Sequence, residues 1–171
     1  MSDKKTYYMV RTAMFAALTF VATFIIKIPT PGTSGYIHPG DALVILSGII
    51  LGPVYGAAAA AIGSALSDAI GGYAIYIPAT FIIKGIIGLV SGLIYNSALF
   101  SHLKNRTRCI LCGLFAAIFV PAGYFAFEIF IYGKAAVASI PLNLIQGISG
   151  LVISVLLLPV MTRINNVSLS K

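Results

Sequence analysis

Residues 41–71 read DALVILSGIILGPVYGAAAAAIGSALSDAIG. From Ala42 to Ile70 the stretch is apolar enough to cross a membrane once, except that Gly52-Pro53 interrupts it near the middle. Proline removes a backbone N–H and clashes with the preceding turn. The segment is therefore either one kinked helix or two. The choice sets the fold, because one extra crossing moves every later loop to the opposite side of the membrane.

The rest of the chain decides that a membrane is the right setting. Of 171 residues, 59% are hydrophobic and 9% charged. A soluble domain of this size needs a charged surface that such a composition cannot supply. The expectation is a single compact integral membrane domain over residues 1–171. The first apolar run, from about Tyr7 to Ile28, is broken only by Arg11. It is too long and too weakly basic at its flank for a signal peptide, and no small-residue cleavage site follows, so it reads as a retained span. The net charge of +7 comes from scattered Lys and Arg. That pattern speaks of membrane topology and not of nucleic-acid binding.

Charge also chooses between the two readings of residues 41–71. Two helices, about 41–51 and 54–71, give six spans, with the others at about 7–28, 79–99, 109–132 and 141–163. If the N-terminus is cytoplasmic, then Lys4, Lys5, Arg11, Lys104, Arg106, Arg108, Arg163 and Lys171 are cytoplasmic, and only Lys27 and Lys134 flank the outside. One kinked helix gives five spans and leaves four basic residues inside and six outside. The positive-inside rule favours six, with both termini cytoplasmic. The second helix is then only about eleven residues, half the hydrocarbon thickness at about 1.5 Å per residue, and neighbouring protein must shield it. Gly48, Gly52 and Gly56, and again Gly88 and Gly92, recur four apart and allow close helix approach, for which plain intramolecular packing is a sufficient reason.

Three of the four carboxylates, Asp41, Asp68 and Glu128, lie in or beside apolar segments. Ionisable groups at membrane depth are costly and face a cavity or each other. In the six-span arrangement the polar residues gather in the outer half, above an inner half of small and aliphatic residues with a basic rim. The loop of residues 29–41 contributes Tyr36, His38 and Asp41. Asp68, Tyr73, Tyr76 and Lys84 surround the next outer connection, Glu128 ends the fifth span, and Asn143 and Gln146 open the sixth. These ten residues are the candidate substrate site. Tyrosines stack on planar rings, and Glu128, Asn143 and Gln146 offer hydrogen bonds in an otherwise apolar pocket. Simpler roles stand beside each: an interfacial tyrosine belt, an Asp68–Lys84 pair that serves packing alone, and a solvated His38. In the first span Ala13 and Ala17 form a small-residue face suited to docking another membrane protein.

Cys109 and Cys112 stand alone as C-x-x-C at the start of an apolar run and read as two small buried side chains. No phosphate-binding G-x-x-x-x-G-K-[ST], H-E-x-x-H or G-x-S-x-G occurs, so neither an ATPase, a metal site, a cofactor nor a catalytic residue is expected. Two other classes compete. A stand-alone proton-coupled carrier would relay protons through Asp68 and Glu128 but is expected to carry an inverted repeat, which the chain does not show. An intramembrane aspartyl protease would pair Asp41 with Asp68, yet His-Pro-Gly precedes Asp41 where a Gly-x-Gly pattern is wanted.

Several motifs carry a resemblance: Gly35-Tyr-Ile-His-Pro-Gly-Asp-Ala42, Leu51-Gly-Pro53, Gly63-Ser-Ala-Leu-Ser-Asp68, Tyr76-Ile-Pro-Ala-Thr80 and Ile83-Lys-Gly85. In this order they resemble the substrate-binding S component of energy-coupling factor (ECF) vitamin transporters, in the subgroup of riboflavin, hydroxymethylpyrimidine and vitamin B6 types. The resemblance implies an all-α bundle of six transmembrane helices in the prokaryotic cell membrane, with both termini cytoplasmic. It implies a vitamin held near the outer face under the first loop. It also implies a partner module of a transmembrane coupling protein and two ATPases, docked at Ala13 and Ala17, and a toppling of the subunit to release the vitamin. The chain has no Trp, so the tryptophan-lined pockets of thiamine-binding relatives do not carry over. An acidic group at Glu128 suits hydroxymethylpyrimidine or a B6 vitamer.

Overall fold

The computed structural model describes the backbone of residues 2–169 and the side chains of residues 4–165. Lys171, counted above among the cytoplasmic charges, lies outside the described residues. Six α-helices follow one another: α1 (Ser2–Ile25), α2 (Asp41–Leu51), α3 (Pro53–Gly71), α4 (Ile77–Asn96), α5 (Asn105–Tyr132) and α6 (Ile140–Leu169). Short 3-10 turns at Ala74–Tyr76, Ala98–Phe100 and Gly133–Ser139 join some of them. Among the described residues, four helical stretches are long and apolar enough to cross a membrane: Lys4–Ile25, Pro53–Gly71, Ala74–Asn96 and Asn105–Asn165. The last runs 61 residues, about 90 Å if straight and three times the hydrocarbon core. It is not straight: the turn at Gly133–Ser139 folds α6 back along α5.

The sequence places the end of the first span at Ile28, but α1 stops at Ile25. Ile28–Pro29 instead pairs antiparallel with Tyr36–Ile37, in register Ile28↔Ile37 and Pro29↔Tyr36. Proline cannot donate to a ladder and is tolerated at such an edge. This small hairpin is an addition to an otherwise helical fold, and it holds the loop of residues 26–40 against the bundle end. α5 also begins earlier than the hydropathy suggests, at Asn105, because Arg108 donates to the Tyr95 carbonyl at 2.9 Å and draws the polar first turn onto the end of α4.

Gly52 is why residues 41–71 are two helices. Its φ of 83° and ψ of 176° are open to glycine alone, and Pro53 takes the first position of α3, where a missing N–H costs nothing. The short α2 packs against all five other helices, and every residue in it except Ile50 is buried. That burial satisfies the shielding a half-length helix requires. The glycines set the spacing: a Cβ at Gly48 would run into the backbone of Gly88 and Gly92, and one at Gly92 into Pro53. The Ser47 hydroxyl donates to the carbonyls of Val44 at 2.7 Å and Gly56 at 3.0 Å across the break. Buried hydroxyls such as Ser47, Ser91 and Ser154 thus occupy the half of the bundle expected to be merely small and aliphatic. Around the perimeter, large apolar side chains face outward, among them Met14, Val54, Ile118, Phe130 and Leu156. Soluble monomers do not expose apolar surface on this scale, whereas a lipid-facing wall does.

Candidate binding site

At the hairpin end of the bundle the helices part around a polar cleft. The loop supplies Thr30, Gly35 and Tyr36, α3 supplies Asp68, the turn before α4 and α4 itself supply Tyr76 and Thr80, α5 supplies Tyr124 and Glu128, and α6 supplies Asn143. Five of the ten sequence candidates therefore line one cleft: Tyr36, Asp68, Tyr76, Glu128 and Asn143. In this structure the walls close to about 10 Å³ of space, room for about one water.

A ladder between α4 and α5 builds one wall. Tyr76 donates its hydroxyl to Glu128 Oε1 at 2.8 Å, and the Thr80 and Tyr124 hydroxyls lie 3.0 Å apart. Tyr76 and Thr80 are four residues apart, as are Tyr124 and Glu128, so each pair sits on one helix face. Thr80 and Tyr124 are not among the ten sequence candidates, although each stands four residues from one of them, Tyr76 and Glu128. The second oxygen of Glu128 accepts a short bond from the Ser139 hydroxyl, supplied by the turn between α5 and α6. Glu128 is 2% exposed and both its oxygens are held by hydroxyls.

The opposite wall is Tyr36 and Asp68. The Tyr36 hydroxyl donates to Asp68 Oδ1 at 2.6 Å. Asp68 is 3% exposed, and its Oδ2 is buried with no hydrogen-bond partner among the described residues. The Thr80 hydroxyl stands close enough to act on the Asp68 carboxylate and is shared with the Tyr124 hydroxyl. Tyr73 does not line the cleft; its ring packs 4.3 Å from that of Tyr36, centroid to centroid. Over these rings sits the ammonium of Lys27, 4.3 Å from the Phe24 centroid, 4.9 Å from Tyr36 and 5.1 Å from Tyr73. Lys27 is thus not a plain flanking charge but a cation held on aromatic faces.

His38, Asp41, Lys84 and Gln146 do not line the cleft; they form a buried polar network next to it, the floor. The expected alternative of an Asp68–Lys84 pair is replaced by Lys84–Asp41, whose Nζ and Oδ1 lie 2.5 Å apart with both side chains fully buried. Lys84 reaches Asp41 because Asp41 opens α2, which runs beside α4. Gln146 donates to Asp41 Oδ2 at 2.9 Å and accepts from the His38 backbone N–H at 3.1 Å. His38 is buried rather than solvated. Its Nδ1 accepts from the Gly40 N–H at 3.1 Å, and burial pushes its imidazole down to about 3. The floor therefore ties the loop to α2, α4 and α6, and Lys84 Nζ lies 5.2 Å from the Tyr124 ring above it.

Ala13 and Ala17 are elsewhere. Both are exposed on α1 and line an apolar groove of about 640 Å³ between α1 and α3, with Met9, Thr12, Ala16, Phe20, Tyr55, Ala58, Ile62 and Leu66.

Residues 3–163 match the family described as ECF-type riboflavin transporter, S component. The chain belongs to this family. Family membership makes it a substrate-binding, membrane-embedded subunit for vitamin transport. Two relatives are similar over substantial lengths. An uncharacterized protein in the gap 3′ region of Pyrococcus woesei is 32% identical over 134 residues, which is 78% of this chain and 86% of that protein. A UPF0397 protein of Streptococcus pneumoniae (strain Hungary19A-6) is 37% identical over 94 residues, 54% of this chain and 50% of its own length.

Proposed function

We propose that this S component crosses the prokaryotic cell membrane six times with both termini in the cytoplasm, captures a small vitamin or vitamin precursor in the cleft at the outer face, and delivers it through a transmembrane coupling protein driven by two ATPases. Hydroxymethylpyrimidine or a B6 vitamer is the favoured substrate. The observation that carries this reading is the separation of two built surfaces. A polar cleft with two carboxylates and three tyrosines lies at one end, and a lipid-depth apolar groove edged by exposed alanines lies on the α1–α3 face. The first has the few placed polar groups of a ligand site, and the second has the small-residue surface that lets a partner helix approach. Capture requires the loop of residues 26–40 to lift and close again, with Tyr36 packing on the ring and Glu128 and Asn143 oriented toward its heteroatoms.

The test separates binding from delivery. Uptake of labelled hydroxymethylpyrimidine or pyridoxine into vesicles is expected only when the coupling protein and both ATPases are present. Ala13→Leu or Ala17→Leu should abolish uptake and spare binding, because the added bulk stands in the groove and not in the cleft. Glu128→Gln and Asn143→Ala should do the reverse and weaken binding, with a loss of roughly thirtyfold for the charged group. Uptake driven by a proton gradient without ATPases would replace this reading with the carrier mechanism.

A further inference from the structure

We infer that the captured ligand is a small nitrogen ring bearing an amino group, and that the amino group binds Asp68 rather than Glu128. This rests on the reading of the cleft as a vitamin site. The argument is a count of charges and acceptors. Three carboxylates are buried at this end of the molecule, yet the ion pair among the described residues is Lys84–Asp41. Lys84 is thereby spent on the floor. Lys27 holds its ammonium over three aromatic rings and does not line the cleft. Glu128 has two oxygens and two hydroxyl donors, Tyr76 and Ser139. Asp68 has one donor within hydrogen-bond distance, Tyr36 on Oδ1; the Thr80 hydroxyl stands near it and is shared with Tyr124, and Oδ2 lies buried in the cleft wall with no partner within hydrogen-bond distance among the described residues.

A buried acceptor without a donor is destabilising, and more so when charged. The ligand that relieves this best brings an N–H donor, and one with positive character pairs with the carboxylate as well. A ring carrying only oxygen acceptors leaves Oδ2 as it is. A ring with a hydroxyl in place of the amino group offers a single weaker donor and no charge. The cleft is therefore selective for amine over hydroxyl at that position, and Asp68 is the residue that decides it. A site built to hydrogen-bond one substrate group discriminates strongly against an analogue lacking it.

The test uses the full chain in lipid nanodiscs and titration calorimetry with two matched pairs: 4-amino-5-hydroxymethyl-2-methylpyrimidine against its 4-oxo counterpart, and pyridoxamine against pyridoxine. Riboflavin is the fifth probe. The amino member of one pair is expected to bind at least about tenfold tighter than its oxygen counterpart, the factor set by a hydrogen bond to a charged group. Asp68→Asn should bring the two within about threefold of each other. The wild-type comparison stands even if that variant fails to fold. Equal or tighter binding of the oxygen members overturns the inference, as does discrimination that survives in Asp68→Asn. Binding of riboflavin alone overturns it too, while leaving the vitamin-site reading intact. Failure of all five probes to bind overturns that reading and this inference together.

Discussion

Lys84 shows how much one residue is asked to do in a chain with so few charges. It is fully buried, its ammonium is matched by Asp41, and Asp41 is matched again by Gln146. Removing one partner of a buried pair leaves an uncompensated charge and costs about 3–5 kcal/mol, whereas removing both charges is often neutral. Lys84→Met should therefore lower stability by about that amount. Lys84→Met combined with Asp41→Asn should recover most of the loss, because the charge is gone while Gln146 keeps an acceptor. Thermal unfolding in detergent would read this, and a single variant as stable as the wild type would mean the pair contributes nothing. The sequence revealed that these acids and this lysine are buried, since apolar neighbours leave them nowhere else to go. It did not reveal who pairs with whom. Asp68 and Lys84 are close along the chain, but α2 runs beside α4 and presents Asp41 to Lys84, and this is a fact of packing. For the same reason Thr30, Gly35 and Ser139 are not among the sequence candidates for the site: each reaches it through the path of a loop or turn, which carries no hydropathy signal.

Elements were more legible, because glycine and proline act through the backbone and leave their mark in the chain itself. The break at Gly52-Pro53 is read from two letters, and α2 falls at Asp41–Leu51 as expected. What could not be read is which glycines are needed for space and which are incidental. At Gly48 a Cβ would meet backbone of α4, which cannot move aside, while at Gly85 it would stand 3.4 Å from the Ala61 Cβ, an ordinary contact. Gly48→Ala should therefore destabilise the bundle by about 1–3 kcal/mol, the usual cost of overpacking. Gly85→Ala should be neutral or gain up to about 1 kcal/mol from helix propensity. The difference between the two melting temperatures is the measurement. If both variants melt alike, the α2–α4 crossing is looser than the structure shows.

At the scale of the whole molecule the charges and the packing point to the same orientation by separate routes. Arg11 on α1 bonds Asn165 on α6, and both border a groove with Leu51, Gly52, Pro53 and Asn96. The start of α1, the α2–α3 break, the end of α4 and the far part of α6 thus meet at one end of the bundle. Lys104, Arg106 and Arg108 enter α5 directly after α4, at the same end. Lys27 and Lys134 lie at the other end, with the loop and the cleft. α2 therefore runs from the cleft end toward the basic end despite its length, as the proposed six-span arrangement requires. In the proposed orientation, the one the positive-inside rule favours, the basic end is cytoplasmic and the cleft is outside. Cysteines placed at the exposed Ser34 and Ser101 test this in a background with Cys109→Ser and Cys112→Ser. An impermeant maleimide should label the Ser34 position on intact cells and the Ser101 position only after the membrane is opened. The reverse pattern would turn the molecule over, and labelling of both from outside would remove α2 as a crossing. The reverse pattern would detach the cleft from the side on which a vitamin is met, since the capture mechanism needs the polar end and the outer face to coincide.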